Sequence, residues 1–283
     1  MEIARNIANL RGHTAVWRKS EQRIGLVPTM GALHAGHMAL VRAARAECDR
    51  VVSSIFVNPK QFAPTEDLGS YPRRETADLD MLQSSGVDLA FIPALNEIYP
   101  RDFATTIHVS GLTEALCGAQ RPGHFDGVVT VVTKLLTQSL PDIAYFGEKD
   151  YQQLIVVRRL VRDLDIPVHI AGVPTVREAD GLAMSSRNAY LAPEERRIAP
   201  GLALVLRKIA AALAADPSAV AQQITGGLAE LQDIGLAVDY LEIREEKALA
   251  PVRAKISAPA RVFAAVRLGR TRLIDNFPIP PVP

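Results

Sequence analysis

The sequence predicts an α/β fold: a doubly wound parallel sheet followed by a smaller α+β unit. Three observations carry that prediction. Short apolar runs alternate with amphipathic segments through the first half. The character changes after Pro174 to long Ala/Leu-rich helical stretches followed by period-2 strands. The chain has 283 residues, 48% of them hydrophobic, enough for one large domain or two modest ones with their own cores.

The elements follow in order. Ile24–Val27 reads as a buried strand, then a Pro/Gly-containing loop and a helix over Met38–Glu47. Val51–Val57 is the next strand and Ala77–Ser84 a helix. Val87–Ile92 is a third strand, and Thr105–Val109 reads as a short one. Val128–Gln138 is helical, Ile143–Phe146 a strand, Asp150–Asp163 a long helix, and Val168–Val173 closes the series. Strands alternating with helices of this length imply βαβ units and a parallel sheet covered on both faces. Beyond Pro174, Glu194–Ala215 and Ala219–Gln232 read as helices, and Asp239–Arg244 and Arg261–Leu268 as strands. The expected division is residues 1–177 and 178–283. The tail Phe277–Pro283 is proline-rich and expected to be an extended surface strap.

Composition excludes several classes. Lys and Arg total 32 against 31 Asp and Glu, which disfavours a nucleic-acid or polybasic membrane binder. No run of about 18 uninterrupted apolar residues occurs, so no membrane span is expected. Cys48 and Cys117 are too few and too far apart for a disulfide framework. The opening residues lack the apolar stretch of a signal peptide, and a reducing, cytoplasmic setting is expected. Cys117 has no basic neighbour in sequence and reads as an inert buried thiol.

Two motifs carry chemistry. The first is Pro28-Thr29-Met30-Gly31-Ala32-Leu33-His34-Ala35-Gly36-His37, at the end of the first strand and the start of a helix. In a parallel sheet ligands bind outside the carboxyl ends of strands. Free amides and the dipole at a helix start favour an anion, and two imidazoles spaced i, i+3 point the same way. A helix cap with two surface histidines is the bland alternative. Zinc would need a third ligand that no Cys or His cluster offers. The second motif is Gly181-Leu182-Ala183-Met184-Ser185-Ser186-Arg187-Asn188. Two hydroxyls beside a guanidinium suit a polyphosphate, although Ser-Ser-Arg-Asn alone is more often a turn.

His34-Ala35-Gly36-His37 resembles the HIGH signature, and Met184-Ser185-Ser186-Arg187 the KMSKS signature, of the nucleotidylyltransferase and class I synthetase superfamily. The joint pattern is similar to the pantothenate synthetase family. Further blocks carry that resemblance: Phe56–Phe62, Arg121–Val128, Phe146–Gln153 and Val173–Glu178. It implies an ATP-dependent ligase that joins pantoate to β-alanine through a pantoyl adenylate, releasing AMP and pyrophosphate. It also implies a Rossmann-like domain with a smaller C-terminal lid, a homodimer, Mg²⁺, and no nucleic-acid or membrane partner. Neither chemical step needs an enzyme nucleophile, and neither a Gly-x-Ser-x-Gly elbow nor a Walker loop is present.

The resemblance also implies roles. Met30 to His37 would form the first ATP loop, with His34 and His37 on the phosphates. Asn58 and Gln61 would lie at the pantoate site, Gln61 also near β-alanine. Gly147, Glu148, Lys149 and Asp150 would hold the adenosine, Lys149 reaching the α-phosphate. Gln153, one turn beyond, would bind pantoate hydroxyls, whereas Gln152 reads as an exposed helix residue. Val176 would meet the adenine, and Met184 to Arg187 would close on the triphosphate. Asp78 would help hold Mg²⁺, although Ala77 stands where some members carry another acid. An adenylyltransferase with a phosphate acceptor would need basic residues where Asn58, Gln61 and Gln153 are neutral. A tRNA synthetase would need a basic surface and appended domains. A non-catalytic nucleotide binder would tolerate loss of one signature, and both are present.

Overall fold

The computed structural model describes residues 1–64 and 66–280. The chain divides into two compact units. The first comprises Met1–Thr113, Arg121–Glu148 and Gln153–Pro174. The second comprises Glu114–Gln120, Lys149–Gln152 and the chain from Thr175 onward.

Six parallel strands build the first unit. They are β1 (Glu2–Ala4), β2 (Ile24–Thr29), β3 (Arg50–Ile55), β4 (Leu89–Phe91), β5 (Ile143–Gly147) and β6 (His169–Val173), in spatial order β1-β4-β3-β2-β5-β6. The central strands are almost entirely buried, as in a sheet covered on both faces, although β3 includes the buried polar pair Ser53 and Ser54. The helices are α1 (Ile7–Lys19), α2 (Ala35–Glu47), α3 (Glu75–Ser84), the single turn α4 (Leu95–Ile98), and, beyond the short α5 (Cys117–Gln120) of the second unit, α6 (His124–Ser139). Next comes α7 (Tyr151–Asp163), whose first two residues group with the second unit. Val27, Val41, Ala44, Val51, Leu82, Ile143 and Tyr145 form one contiguous core, in which α2 and α3 pack on the sheet.

The second unit holds α8 (Pro193–Ile198), α9 (Pro200–Ala215), α10 (Val220–Asp233) and an antiparallel sheet of β7 (Ala237–Glu245), β8 (Ala260–Leu268) and β9 (Thr271–Ile279). β8 lies in the middle, β7 is interrupted by a register shift between Val238 and Tyr240, and β9 carries Pro278 opposite Arg261. Pro193–Ala215 is long and apolar enough by composition to cross a membrane. Its Leu202, Val205, Leu206, Ile209 and Leu213 instead line the core of this unit, against Val262, Ala264 and Val266 of β8.

Several sequence expectations need correction. The continuous helix over Glu194–Ala215 is two helices meeting at Ala199, because Pro200 has no N–H to bond back. Thr105–Val109 is not a strand; the Ile107 amide donates to Thr130 Oγ1 at 3.0 Å instead of to a ladder. Phe277–Ile279 is not a strap but the end of β9, where an outer strand tolerates Pro278. Pro280 follows, exposed and outside any strand, and Pro281-Val282-Pro283, the remainder of the predicted strap, lies outside the described residues. The helix α1 has no counterpart in the sequence reading. Only Leu10 and Thr14 of it are buried, too thin a stripe to register as periodicity.

Leu206 is fully buried in the second core. Leu206→Ala is expected to cost about 2–5 kcal/mol through lost burial and a residual cavity. A fall in the thermal or urea unfolding midpoint checks it.

Candidate functional site

The winding of the sheet reverses at β2. β3 and β4 extend from one side of it, β5 and β6 from the other. Ligands of open parallel sheets collect outside the carboxyl ends of the strands at such a reversal. β2 ends at Thr29 and β5 at Gly147, so the Met30–His37 loop and the Gly147-Glu148 turn leave the sheet on either side of it.

The loop after β2 is tightly specified. Gly31 and Ala32 have φ of 79° and 50°, two consecutive left-handed residues. A Cβ on residue 31 would lie 2.9 Å from Asp78 Oδ2, so only glycine fits. Ala32 has no such freedom, and its conformation costs of order 1–3 kcal/mol that its surroundings must offset. Asp78, only 3% exposed on the first turn of α3, supplies the offset. Its Oδ2 accepts from the Ala32 amide at 2.9 Å and its Oδ1 from the Leu33 amide at 2.8 Å. Thr29 Oγ1 accepts from the Gly31 amide at 3.2 Å and donates to the Ser54 carbonyl at 2.6 Å.

His34 caps α2. Its Nδ1 accepts from the Gly36 amide at 3.1 Å, and His37 Nδ1 accepts from the His34 amide at 3.3 Å. The two rings lie 4.1 Å apart. Because both Nδ1 atoms are acceptors, the hydrogen-bond network assigns the proton of each neutral ring to Nε2. This corrects the reading of the loop as a set of free amides. The Gly31, Ala32, Leu33, His34 and Gly36 amides are all bonded within the protein. Each Asp78 oxygen accepts one loop amide, which leaves acceptor capacity on both. Among the described residues no group of three His, Cys, Asp or Glu is placed to hold a metal ion.

A second cluster follows β3. Gln61 Nε2 donates to Met30 Sδ at 2.9 Å, which ties the two predicted site segments together. Gln61 Oε1 accepts from Asn58 Nδ2 at 3.0 Å, so the amide orientation of Gln61 is set by its neighbour. Asn58 is 1% exposed. Its Nδ2 also donates to the Gly127 carbonyl at 3.0 Å, and its Oδ1 accepts from the Tyr99 hydroxyl at 2.9 Å and the Lys60 amide at 3.3 Å. Both donors and both acceptor positions of Asn58 are thereby used. Its side chain holds Gln61 from beneath, at the segment expected to meet pantoate. A Cβ on residue 127 would overlap the Lys60 carbonyl, so Gly127 lets α6 lie directly on the Pro59–Gln61 turn.

The Arg121–Val128 block closes on the same turn. Arg121 forms a twin pair with Glu66, at 2.6 Å from Nε and 2.7 Å from Nη2, and donates to the Gln61 carbonyl at 3.2 Å. Burial opposes ionisation of Glu66, but the hydrogen bonds and charge of Arg121 outweigh it and hold the carboxyl below its ordinary value. His124 Nδ1 donates to the Gln61 carbonyl at 2.8 Å. Sequence reasoning did not single out Tyr99 or Glu66, and nothing in their local sequence marks them.

Gly147 ends β5 and Glu148 opens the 3₁₀ turn after it, both in the first unit, and Gln153 is half-buried on α7. Gln152 is not exposed as expected but 5% exposed, accepting from the Cys117 amide at 3.0 Å and donating to the Ala115 carbonyl at 2.8 Å. It belongs with Lys149 and Asp150 to the second unit, where Lys149 lies 3.9 Å from Asp150 and its carbonyl accepts from Asn276 at 3.0 Å. Cys117 also proves to have a basic neighbour: Arg272 Nη1 lies 3.6 Å from its Sγ and the Tyr240 hydroxyl 3.2 Å.

The second motif occupies a small hairpin of this unit. Val176 and Met184 are joined by an amide-to-carbonyl bond of 3.0 Å, and Arg177 bridges Ala183. Arg177 pairs with buried Asp275 through both nitrogens, at 2.6 and 2.9 Å, and stacks 4.0 Å over Phe277. Arg196 pairs with both Glu178 and Asp180 across the turn. Ser185 Oγ accepts from the Arg187 amide at 3.2 Å and caps the 3₁₀ turn Ser186–Tyr190. The hairpin thus presents Met184, Ser185, Ser186 and Arg187 from a braced base.

These features define a Rossmann-like α/β protein whose two histidines and neutral amide cluster lie at the carboxyl edge of the sheet. The family described as pantoate-beta-alanine ligase matches residues 2–278. A pantothenate synthetase of Paramagnetospirillum magneticum is 54% identical over 99% of both chains, and one of Rhizorhabdus wittichii 53% identical over the whole of both. The crystal structure of pantothenate synthetase from Thermus thermophilus superposes with a TM-score of 0.93 at 47% identity, covering 99% of this chain and 100% of that one. Pantoate-beta-alanine ligase from Francisella tularensis, complexed with beta-gamma ATP and beta-alanine, gives 0.82 at 36%, covering 98% and 97%. The chain belongs to the pantoate–β-alanine ligase family and is a pantothenate-forming ligase.

Asp78→Asn would keep one acceptor and turn an amide donor toward a backbone N–H. A buried N–H left unbonded costs about 1–3 kcal/mol. Pantothenate formation is expected to fall by about 10- to 100-fold, with a lower melting midpoint. Wild-type turnover in this variant would show that the loop does not depend on Asp78.

Proposed function

We propose that the enzyme uses ATP to activate pantoate as pantoyl adenylate and then transfers the pantoyl group to β-alanine. The observation that carries this reading is the pair His34 and His37, whose Nε2 donors are oriented by backbone amides at the reversal of the sheet. The beta-gamma ATP and beta-alanine bound to the Francisella tularensis relative support it.

In the first step a pantoate carboxylate oxygen attacks the α-phosphorus in line. The bond to the β-phosphate bridging oxygen breaks and pyrophosphate leaves. In the second, the β-alanine amine attacks the acyl carbon, loses a proton, and the C–O bond to AMP breaks. Catalysis is positioning plus charge stabilisation, without a covalent enzyme intermediate. His34 and His37 would donate to phosphate oxygens, and Lys149 would meet the α-phosphate. Gly147 to Asp150 and Val176 would hold the adenosine. Ser185, Ser186 and the Arg187 fork, with Met184, would bind the triphosphate. Gln61 and Gln153 would hold pantoate, with the Gln61 NH₂ directed as donor because Asn58 holds its carbonyl.

The first unit, within residues 1–177, would take ATP and pantoate, and residues 178–283 would act as the lid. Among the described residues no group of three His, Cys, Asp or Glu is placed to hold a metal ion; magnesium would enter with the triphosphate, helped by Asp78, and would supply neutralisation of phosphate charge. Free Cys48 and Cys117 suit the reducing cytoplasm. A homodimer is part of this proposal, and solution mass tests it.

Two outcomes check the chemistry. With ATP and pantoate but no β-alanine, labelled pyrophosphate should exchange into ATP. No exchange at any pantoate concentration would exclude the adenylate. His37→Ala should lower kcat by about 10²–10³ with folding retained, as loss of one preorganised donor does. Near wild-type turnover would remove His37 from the phosphate site.

A further inference from the structure

The three side chains that converge on the turn after β3 have no assigned role. Glu66, Arg121 and His124 come from a loop, a loop and the first residue of α6; Arg121 and His124 meet on one atom, the Gln61 carbonyl oxygen, and Glu66 holds Arg121 from behind. That oxygen accepts from His124 Nδ1 at 2.8 Å and from Arg121 Nη2 at 3.2 Å, so both its lone pairs are used. Bonding to a carbonyl forces Nδ1 to carry a proton. Nε2 then accepts from Arg121 Nη1 at 2.9 Å, which fixes a neutral ring. Arg121 is in turn oriented by its twin pair with Glu66, whose two oxygens lie 2.6 and 2.7 Å away. Arg121 and Glu66 are only 15% and 22% exposed, so the pair is shielded enough to hold a defined geometry.

We propose that Glu66, Arg121 and His124 are positioning residues for pantoate recognition, acting through Gln61. This rests on the reading above that Gln61 grips the acid. Gln61 is held at both ends: Asn58 fixes its side-chain carbonyl, and the three-residue relay fixes its backbone carbonyl. Rotation of the Pro59–Gln61 turn would swing the amide away from Met30, its neighbour at 2.9 Å. The relay blocks that rotation. A displacement of about 1 Å in a substrate-holding group is enough to cost about 100-fold in a well-oriented reaction.

A double-mutant cycle on pantoate kinetics tests the proposal, with melting curves for each variant. His124→Ala, which removes the bonds to both the Gln61 carbonyl and Arg121, is expected to raise pantoate KM about tenfold, while ATP KM moves less than twofold. His124→Asn, whose amide still donates from nearly the Nδ1 position, should recover most of the loss. In a Gln61→Ala background, His124→Ala should add less than about twofold. A full His124→Ala effect in that background, or equal effects on both KM values, would reduce the relay to a loop staple and overturn the proposal. So would wild-type pantoate KM in His124→Ala when Gln61→Ala itself is impaired. If Gln61→Ala leaves pantoate KM unchanged, the acid-site reading fails and the relay's role fails with it. Should His124→Ala not fold, the same cycle with Arg121→Lys, which keeps the charge but loses the fork, decides between the same outcomes.

Discussion

The site depends on one buried carboxylate. Asp78 accepts the two amides that follow a pair of left-handed residues, and without it the chain from β2 to α2 has no reason to hold that shape. Everything downstream inherits its geometry. The loop delivers His34 to the cap position of α2, and the cap fixes both ring tautomers. The same loop brings Met30 against Gln61. A charged group in the interior is costly unless its bonding is satisfied. Here the satisfaction comes from backbone donors, so the charge serves as a template for the main chain.

A division of labour between side chains follows. Residues that look polar and available in a one-dimensional string are often spent on holding others. Asn58 exhausts its donors and acceptors on Gly127, Tyr99, Lys60 and Gln61, and Gln152 spends its amide on the segment around Cys117. Gln61 and the two histidines are what these supports present. A short list of presented groups on a larger set of supports is what preorganisation requires.

The parallel sheet was legible because buried strands read as apolar runs, and the loop after β2 because its glycines and histidines sit at a strand-to-helix junction. The jobs of individual residues were less legible, for a physical reason. Asp78 finds its partners 46 residues away, Arg121 reaches Glu66 across 55, and Arg272 meets Cys117 across 155. No local pattern encodes such meetings. Cys117 therefore read as remote from any base, and the bonds by which Asp78 holds the loop went unread. Local signals failed in two other ways. α1 buries too few residues to show a period, and Pro278 suggested a loose tail although an outer strand accepts it. The break at Pro200 was readable from the sequence, but the strong apolar periodicity on both sides masked it.

The three-stranded sheet of the second unit has two outer strands, and each carries an irregularity. β7 is kinked by the register shift at Val238 and Tyr240, and β9 lacks an amide hydrogen at Pro278. A flat strand with an unbroken row of donors and acceptors is a template on which a foreign strand can grow. Neither rim offers such a row over its whole length. Runaway strand addition is thereby discouraged at both borders of the sheet.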